Sequence, residues 1–135
     1  MRHRVLGRYV YVLDDDDYLV YPHFIKDLKA ICDEHHPDVV ICKGHINGNV
    51  LPSLHVYSVK GPVRGAIGSP NFVVTNEIFQ AFSKFWTSKV NKDSRAGDFH
   101  FISAVFHQMK PKVYWDWDEL VFKAGIGNGK PGDYK

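Results

Sequence analysis

The 135-residue sequence has few features of secreted, membrane or nucleic-acid-binding chains. Its only two cysteines, Cys32 and Cys42, lie inside apolar patterns, so we interpret them as reduced core residues and not as a disulfide framework. No apolar run approaches the length of a membrane span, and no signal-peptide pattern is visible at residues 1–4. The formal net charge is +2 without a block of lysine or arginine, which argues against nucleic acid or an anionic membrane as a partner. We therefore expect a soluble, cytoplasmic protein.

Several common catalytic and cofactor signatures are also missing. The eight histidines form no HExxH motif, and the cysteines do not have the spacing of zinc ligands, so we do not expect a structural zinc site. A single histidine as an extra ligand to a carboxylate-bound metal stays open. The glycine-rich segment 125–129 follows no long strand and opens no helix, which argues against a dinucleotide-binding loop. No GxSxG or Cys–His signature is present.

The most distinctive stretch is the apolar run 9–13, which four aspartates, 14–17, follow at once. Uninterrupted β-branched and aromatic residues predict a strand buried on both faces, as in a parallel sheet. Ligands of open α/β sheets bind just beyond the carboxyl ends of the strands, and hard divalent ions prefer oxygen ligands. The run therefore predicts a metal–diphosphate site at Asp14 to Asp17. The simpler alternative is a solvated turn in which one aspartate caps the next helix.

The first half of the chain beyond this run predicts a βαβ unit. Pro22 is expected to open an amphipathic helix whose apolar stripe includes Ile25 and ends at Cys32, and residues 38–42 predict a second buried strand. The two strands would be parallel with a right-handed crossover. Residues 44–70 predict loops with one or two short strands, including the β-prone piece 54–57.

The second half predicts a strand over 71–74, an aromatic helix from a Thr75 or Asn76 cap to Trp86, and a polar turn over 90–97. Asp98 stands just before a third helix, which ends near Met109 and precedes a last strand over 113–115. Asp98 could cap that helix or act as a general base towards an attacking hydroxyl, and one oxygen could serve each role. The domain would span residues 1–124, with a glycine-rich tail over 125–135.

These residues resemble a known family. The segment 9–17, followed by Tyr21-Pro22 and an amphipathic helix, resembles the family 2-type glycosyltransferases of the GT-A fold. Residues 68–74 resemble the acceptor-side strand of that family, and residues 97–102, leading to 112–115, resemble its catalytic-base segment. The resemblance spans most of residues 5–122. It implies an α/β fold that is a partial GT-A domain, a mixed sheet flanked by about three helices without the N-terminal nucleotide-binding strands.

The resemblance also implies roles for individual residues. In this family a DxD-like motif binds the nucleotide ribose and the Mn²⁺ or Mg²⁺ ion that bridges the donor diphosphate. Carried over, Asp14 and Asp15 bind the nucleotide, and Asp16 binds the metal with Asp14 and Asp17 as further ligands. Asp98 becomes the general base. The family more often has an acidic pair there, whereas Gly97 precedes Asp98 in this sequence.

The function implied is metal-dependent, inverting transfer of a sugar from a nucleotide-diphosphate donor to an acceptor hydroxyl, by an intact enzyme or a fragment of one. One alternative is a non-catalytic GT-A-like module that binds a metal or ligand and self-associates. Another is a Mg²⁺-dependent phosphate-ester hydrolase that uses the same carboxylates. Because the family places its acidic strand midway through the domain and this chain begins almost at that strand, we expect an open apolar edge at Tyr9 to Leu13 that pairs with another copy.

Overall fold

The computed structural model describes residues 7–87 and 97–124, in which short strands alternate with helices. The strands are β1 (Tyr9–Tyr11), β2 (Tyr18–Leu19), β3 (Val39–Ile41), β4 (Lys43–Ile46), β5 (Asn49–Leu51), β6 (Phe72–Thr75), β7 (Val113–Tyr114) and β8 (Leu120–Lys123). The helices are α1 (Phe24–His35), α2 (Leu54–Val59), α3 (Asn76–Phe82), α4 (Lys84–Thr87) and α5 (Gly97–Met109), and a 3-10 turn covers Ser69–Asn71. The predicted tail 125–135 and nearly all of the predicted polar turn lie outside the described residues.

The strands form two mixed four-stranded sheets. The first has the order β1-β6-β3-β7, in which β6 is antiparallel to both neighbours and β3 is parallel to β7. The second has the order β2-β8-β4-β5, in which only β4 and β8 are parallel. The α/β class is therefore confirmed. The prediction of one sheet with about three helices is too simple, because the described residues form two sheets and five helices.

The core lies on both faces of the first sheet. Alternate side chains of a strand point to opposite faces, so Val39 and Ile41 of β3 enter one hydrophobic cluster while Val40 enters the other. One cluster contains buried residues of α3 and α5, and the other contains Phe24 and Cys32 of α1. The helices thus cover the sheet from two sides. Both cysteines are free and buried, as the sequence predicts.

Strand β1 departs from its predicted role. It is shorter than the run 9–13, its residues are half-buried, and β6 is its only partner strand among the described residues. Its direction matches that of β3, as predicted, but β6 lies between the two strands. The two tyrosines fit this edge position, because the Tyr9 and Tyr11 hydroxyls each donate a 2.7 Å hydrogen bond to a backbone carbonyl, of Pro37 and Pro70 respectively.

Other local differences have a tertiary cause. The β-prone piece 54–57 lies in α2, where Val56 is buried in the core, so packing overrides strand propensity. The sequence does not predict β2 and β8, whose short apolar pieces gain their structure by pairing with distant segments. Pro22 does not open helix α1 as predicted, because the helix begins at Phe24. Ile25 does not belong to the buried stripe of this helix as predicted, because it is 66% exposed. The predicted Thr75 cap is confirmed, since its hydroxyl accepts a bond from Ile78 N, although the aromatic helix divides into α3 and α4.

Candidate active site

The acidic run forms a turn that gathers three carboxylates. Asp14, Asp16 and Asp17 each place one carboxylate oxygen within 4.8 Å of the others. The turn closes on itself, because Asp17 N donates to Asp14 O at 3.0 Å and Asp14 N donates to Asp17 Oδ2 at 3.1 Å. None of the four aspartates caps α1, whose N-cap residue is His23 and has no side-chain cap bond. The helix-cap alternative is therefore wrong, and Asp15 lies exposed outside the group of three.

The spacing of these oxygens can be compared with the size of a metal site. Ligand oxygens about 2.1 to 2.4 Å from one ion, on opposite sides of it, are roughly 4.2 to 4.8 Å apart. The three carboxylates lie at or below the upper value. The group contains no sulfur or imidazole ligand, which suits hard ions such as Mg²⁺ and Mn²⁺ better than zinc. The donor set is thus compatible with one hard divalent ion.

The electrostatics of the turn favour a cation. Burial raises the pKa of Asp14, and the charges of Asp17, Asp16, Asp98 and Asp15 raise that pKa further. Each of these effects makes the ionised carboxylate of Asp14 less favourable than it is in water. A bound cation would offset the repulsion and favour the ionised form. The contribution from Asp98 also shows that the acidic turn and Asp98 lie within electrostatic reach of each other.

Asp98 is half-buried in the first turn of α5, and backbone groups hold both of its carboxylate oxygens. Oδ1 accepts a 2.7 Å hydrogen bond from Phe99 N, within the helix. Oδ2 accepts a 3.0 Å hydrogen bond from Ser69 N, in the 3-10 turn before β6. Burial raises the pKa of Asp98, while the bonds from Phe99 and Ser69 and the nearby His100 oppose that rise. The net result is a fixed carboxylate that is more basic than an ordinary aspartate.

The turn that holds Asp98 is itself anchored by a buried asparagine. Asn71 Nδ2 donates to Cys42 O at 3.0 Å and to Leu51 O at 2.7 Å, and Asn71 Oδ1 accepts from Gly68 N at 2.8 Å. These bonds tie the turn before β6 to the residue after β3 and to the end of β5. Sequence reasoning misses this role of Asn71. The signal is the turn-forming segment 68–71, in which an asparagine stands directly before an apolar strand.

Asp98 and the strand that leads to the acidic turn both contact this same 3-10 turn. The hydroxyl of Tyr11, the last residue of β1, donates to Pro70 O, and the next residue back, Ser69, holds Asp98. The carboxyl end of β1 and the amino end of its antiparallel neighbour β6 lie at the same end of the sheet, since Tyr11 pairs with Val73. The structure therefore groups the sequence-predicted residues Asp14, Asp16 and Asp17, and it places Asp98, from a distant part of the chain, within electrostatic reach of Asp14.

The glycine before Asp98 has a steric explanation. A Cβ atom at Gly97 would lie 2.6 Å from the backbone oxygen of Trp86 and 3.1 Å from its Cδ1 atom. A distance of 2.6 Å is too short for a carbon–oxygen contact, so a side chain here would push α4 away from α5. The departure from an acidic pair follows from this close approach of the two helices.

Neither models of known protein families, nor curated protein sequences, nor solved structures match this chain. No helix within residues 7–87 and 97–124 is both long enough and apolar enough to cross a membrane.

Proposed function

We propose that this chain carries the metal-binding and acid–base centre of a metal-dependent glycosyltransferase. The enzyme would transfer a sugar from a nucleotide-diphosphate donor to an acceptor hydroxyl with inversion, on a partial GT-A fold. The observation that carries the proposal is the close grouping of the Asp14, Asp16 and Asp17 carboxylates, with Asp98 near enough for its charge to raise the pKa of Asp14. The order of these segments along the chain also follows the order in the family that the sequence resembles.

In this proposal the acidic turn binds the donor. Asp16, with Asp14 and Asp17, holds Mn²⁺ or Mg²⁺, and Asp14 and Asp15 also face the nucleotide. A divalent ion at this position supplies Lewis-acid stabilisation of the negative charge on a departing diphosphate. The crowding of carboxylates supports this role, because the charges that raise the pKa of Asp14 are the same charges that attract a cation.

Asp98 acts as the general base in this proposal. Its carboxylate takes the proton of the acceptor hydroxyl as the oxygen attacks the anomeric carbon from the face opposite the diphosphate, so the configuration inverts without a covalent sugar intermediate. Two features support the assignment. Burial raises the pKa of Asp98, which makes it a stronger base, and the bonds from Ser69 N and Phe99 N fix the direction of the carboxylate.

Isothermal titration calorimetry tests the metal site. We expect Mn²⁺ to bind the wild-type chain and a panel of nucleoside diphosphates to bind only in its presence, and Asp16→Asn to weaken both. The matched control is Asp118→Asn, which removes the same charge from a side chain that is 94% exposed and outside the triad. Binding of Mn²⁺ that is the same in Asp16→Asn and in the control would contradict the metal assignment. Metal binding without nucleoside-diphosphate binding would favour the non-catalytic module.

The role of Asp98 is tested separately, with a panel of nucleotide sugars and released nucleoside diphosphate as the readout. Asp98→Asn should retain binding of Mn²⁺ and nucleoside diphosphate but lose transfer, because an amide cannot take the proton of the acceptor hydroxyl. The amide also replaces one oxygen that accepts from Phe99 N or Ser69 N, so retained metal binding serves as the check that the variant is folded. Loss of metal binding in this variant would instead mean that Asp98 is a ligand. Phosphate release from simple esters without a sugar acceptor would support the hydrolase alternative.

We also retain the proposal that the chain self-associates through β1. Among the described residues this strand has a partner on one side only, and open strand edges are prone to pair with other chains. Sedimentation at increasing concentration measures this directly, and a monomer at every concentration would contradict it.

A further inference from the structure

A second surface runs along β7, the other end of the first sheet. A cleft of about 340 Å³ is lined by the five consecutive residues 112–116, together with His35, Pro37 and Lys60. Alternate side chains of an extended segment point to opposite faces, so the consecutive residues 112–116, of which Val113 and Tyr114 form β7, line one cleft only if the cleft follows the edge of that segment. In the described part of the chain, β7 ends the order β1-β6-β3-β7 and pairs only with β3.

The backbone of β7 offers hydrogen-bonding groups to this cleft. Lys112 O accepts a 3.1 Å bond from Val39 N, so the polar groups of Lys112 face β3. Successive residues of a strand turn their N–H and C=O groups to opposite edges, so those of Val113 face away from β3 and towards the cleft. An unpaired N–H and C=O at a strand edge form a template for an additional strand.

Side-chain pockets lie beside this edge. A second cleft of about 290 Å³ shares Lys60, Val113 and Trp115 with the first and extends to Phe106 and Lys110. The ring of Trp115 forms its wall, 6.1 Å from the ring of Phe106 and 5.2 Å from Lys60 Nζ, measured from ring centroids. Tyr114, the next residue back, points to the other face, where its ring lies 5.2 Å from that of His35. Both faces of the edge can therefore contact a bound strand.

The charge of the two clefts selects the chemistry of a partner. Among the described residues, their lining includes Lys60, Lys110 and Lys112 and one acidic residue, Asp116, and Lys112 Nζ donates a hydrogen bond to His35 O. Glu34 and Asp118 act on Tyr114 at the other face, so the available positive charge is that of Lys60 and Lys110 beside Trp115. The segments of this chain outside the described ranges, 1–6, 88–96 and 125–135, each carry a net positive charge and do not complement this surface. An acidic segment of a different protein does complement it.

We propose that the edge of β7 is a docking site for an extended acidic peptide segment of a partner protein, which adds to the first sheet as a further strand. Main-chain hydrogen bonds to Val113 give the segment its alignment, and its alternate side chains contact the two faces of the edge. Acidic side chains pair with Lys60 and Lys110 beside Trp115. The proposal does not depend on glycosyl transfer.

Fluorescence anisotropy with labelled heptapeptides of alternating glutamate and valine tests this proposal. We expect measurable binding of this peptide, about tenfold weaker binding of its lysine–valine counterpart, and similar weakening by the double variant Lys60→Glu/Lys110→Glu. The matched control Lys26→Glu/Lys29→Glu makes the same charge change on exposed residues of α1, outside both clefts, and should change the affinity less than about twofold.

Strand addition is distinguished from simple charge attraction by an N-methylated glutamate–valine peptide, which cannot form the main-chain bonds and should not bind. Protection of the Val113 amide from hydrogen exchange on binding of the unmodified peptide is the second expected result. Equal binding of the methylated peptide would overturn the proposal. It would also be overturned if the chain self-associates and Lys60→Glu/Lys110→Glu dissociates the assembly, because a second copy would then be the occupant.

Discussion

Replacement of Asn71 by alanine should destabilise the protein strongly. The Asn71 side chain is fully buried and forms three hydrogen bonds with backbone groups, at 2.7, 2.8 and 3.0 Å. A typical intramolecular hydrogen bond contributes roughly 0.5 to 1.5 kcal/mol, and a buried group left without a partner costs roughly 1 to 3 kcal/mol. The loss of three such bonds therefore costs about 2 to 4 kcal/mol in the free energy of unfolding.

A second substitution separates hydrogen bonding from loss of volume. Asn71→Asp keeps the shape and the acceptor oxygen but replaces the amide donor with a carboxylate that faces the carbonyl oxygens of Cys42 and Leu51. We expect it to be at least as destabilising as Asn71→Ala. Urea denaturation followed by tryptophan fluorescence measures both variants. Asn49→Ala is the control, because the Asn49 side chain is exposed and its bond to Asn47 O is 3.5 Å long; it should cost less than about 0.5 kcal/mol.

A loss of less than about 1 kcal/mol in both Asn71 variants would refute the reasoning. It would mean that the turn Ser69–Asn71 keeps its place without its anchor, and that Asp98 does not depend on Asn71 for its position.

Three further predictions concern other parts of the fold. Gly44→Ala should lower the free energy of unfolding by about 1 to 3 kcal/mol in urea denaturation, because the added Cβ would overlap the buried Phe122 ring. Gly61→Ala should be nearly neutral, since the nearest atom to its added Cβ lies 3.9 Å away, and equal effects of the two variants would contradict this explanation. Since burial and neighbouring aspartates raise the pKa of Asp14 above 3.8, the folded state loses stability as the pH rises through the raised value. Asp14→Asn should therefore stabilise the metal-free protein at neutral pH but not below pH 3.8. An equal gain in the urea midpoint at both pH values would show that ionisation of Asp14 is not the source of the gain. Thr75→Ala should lower the free energy of unfolding by about 1 kcal/mol, measured by thermal unfolding, and Thr75→Ser should lower it much less. Only serine keeps the hydroxyl that accepts from Ile78 N, so equal losses would show that the helix cap is not the cause.

Features that depend on neighbouring residues could be predicted from the amino-acid sequence alone. Helix α5 follows from its apolar spacing, and the Thr75 cap follows from a hydroxyl residue before an apolar helical pattern. The carboxylates of the acidic run lie close together partly because they are adjacent in the chain. Propensity, periodicity and capping act over a few residues, so these features could be predicted without knowledge of the tertiary structure.

Contacts between distant segments could not be predicted in this way and emerge only in the folded chain. The position of β6 between β1 and β3, the pairing of β4 with β8 and the bond from Ser69 to Asp98 join segments that are distant in the chain. Such pairings depend on the entropy of closing long loops and on how much apolar surface each arrangement buries, which local periodicity does not encode. Asp98 lies within electrostatic reach of Asp14 for this reason: α5 and β6 pack in one cluster, and the buried bonds of Asn71 hold the turn whose Ser69 N donates to Asp98.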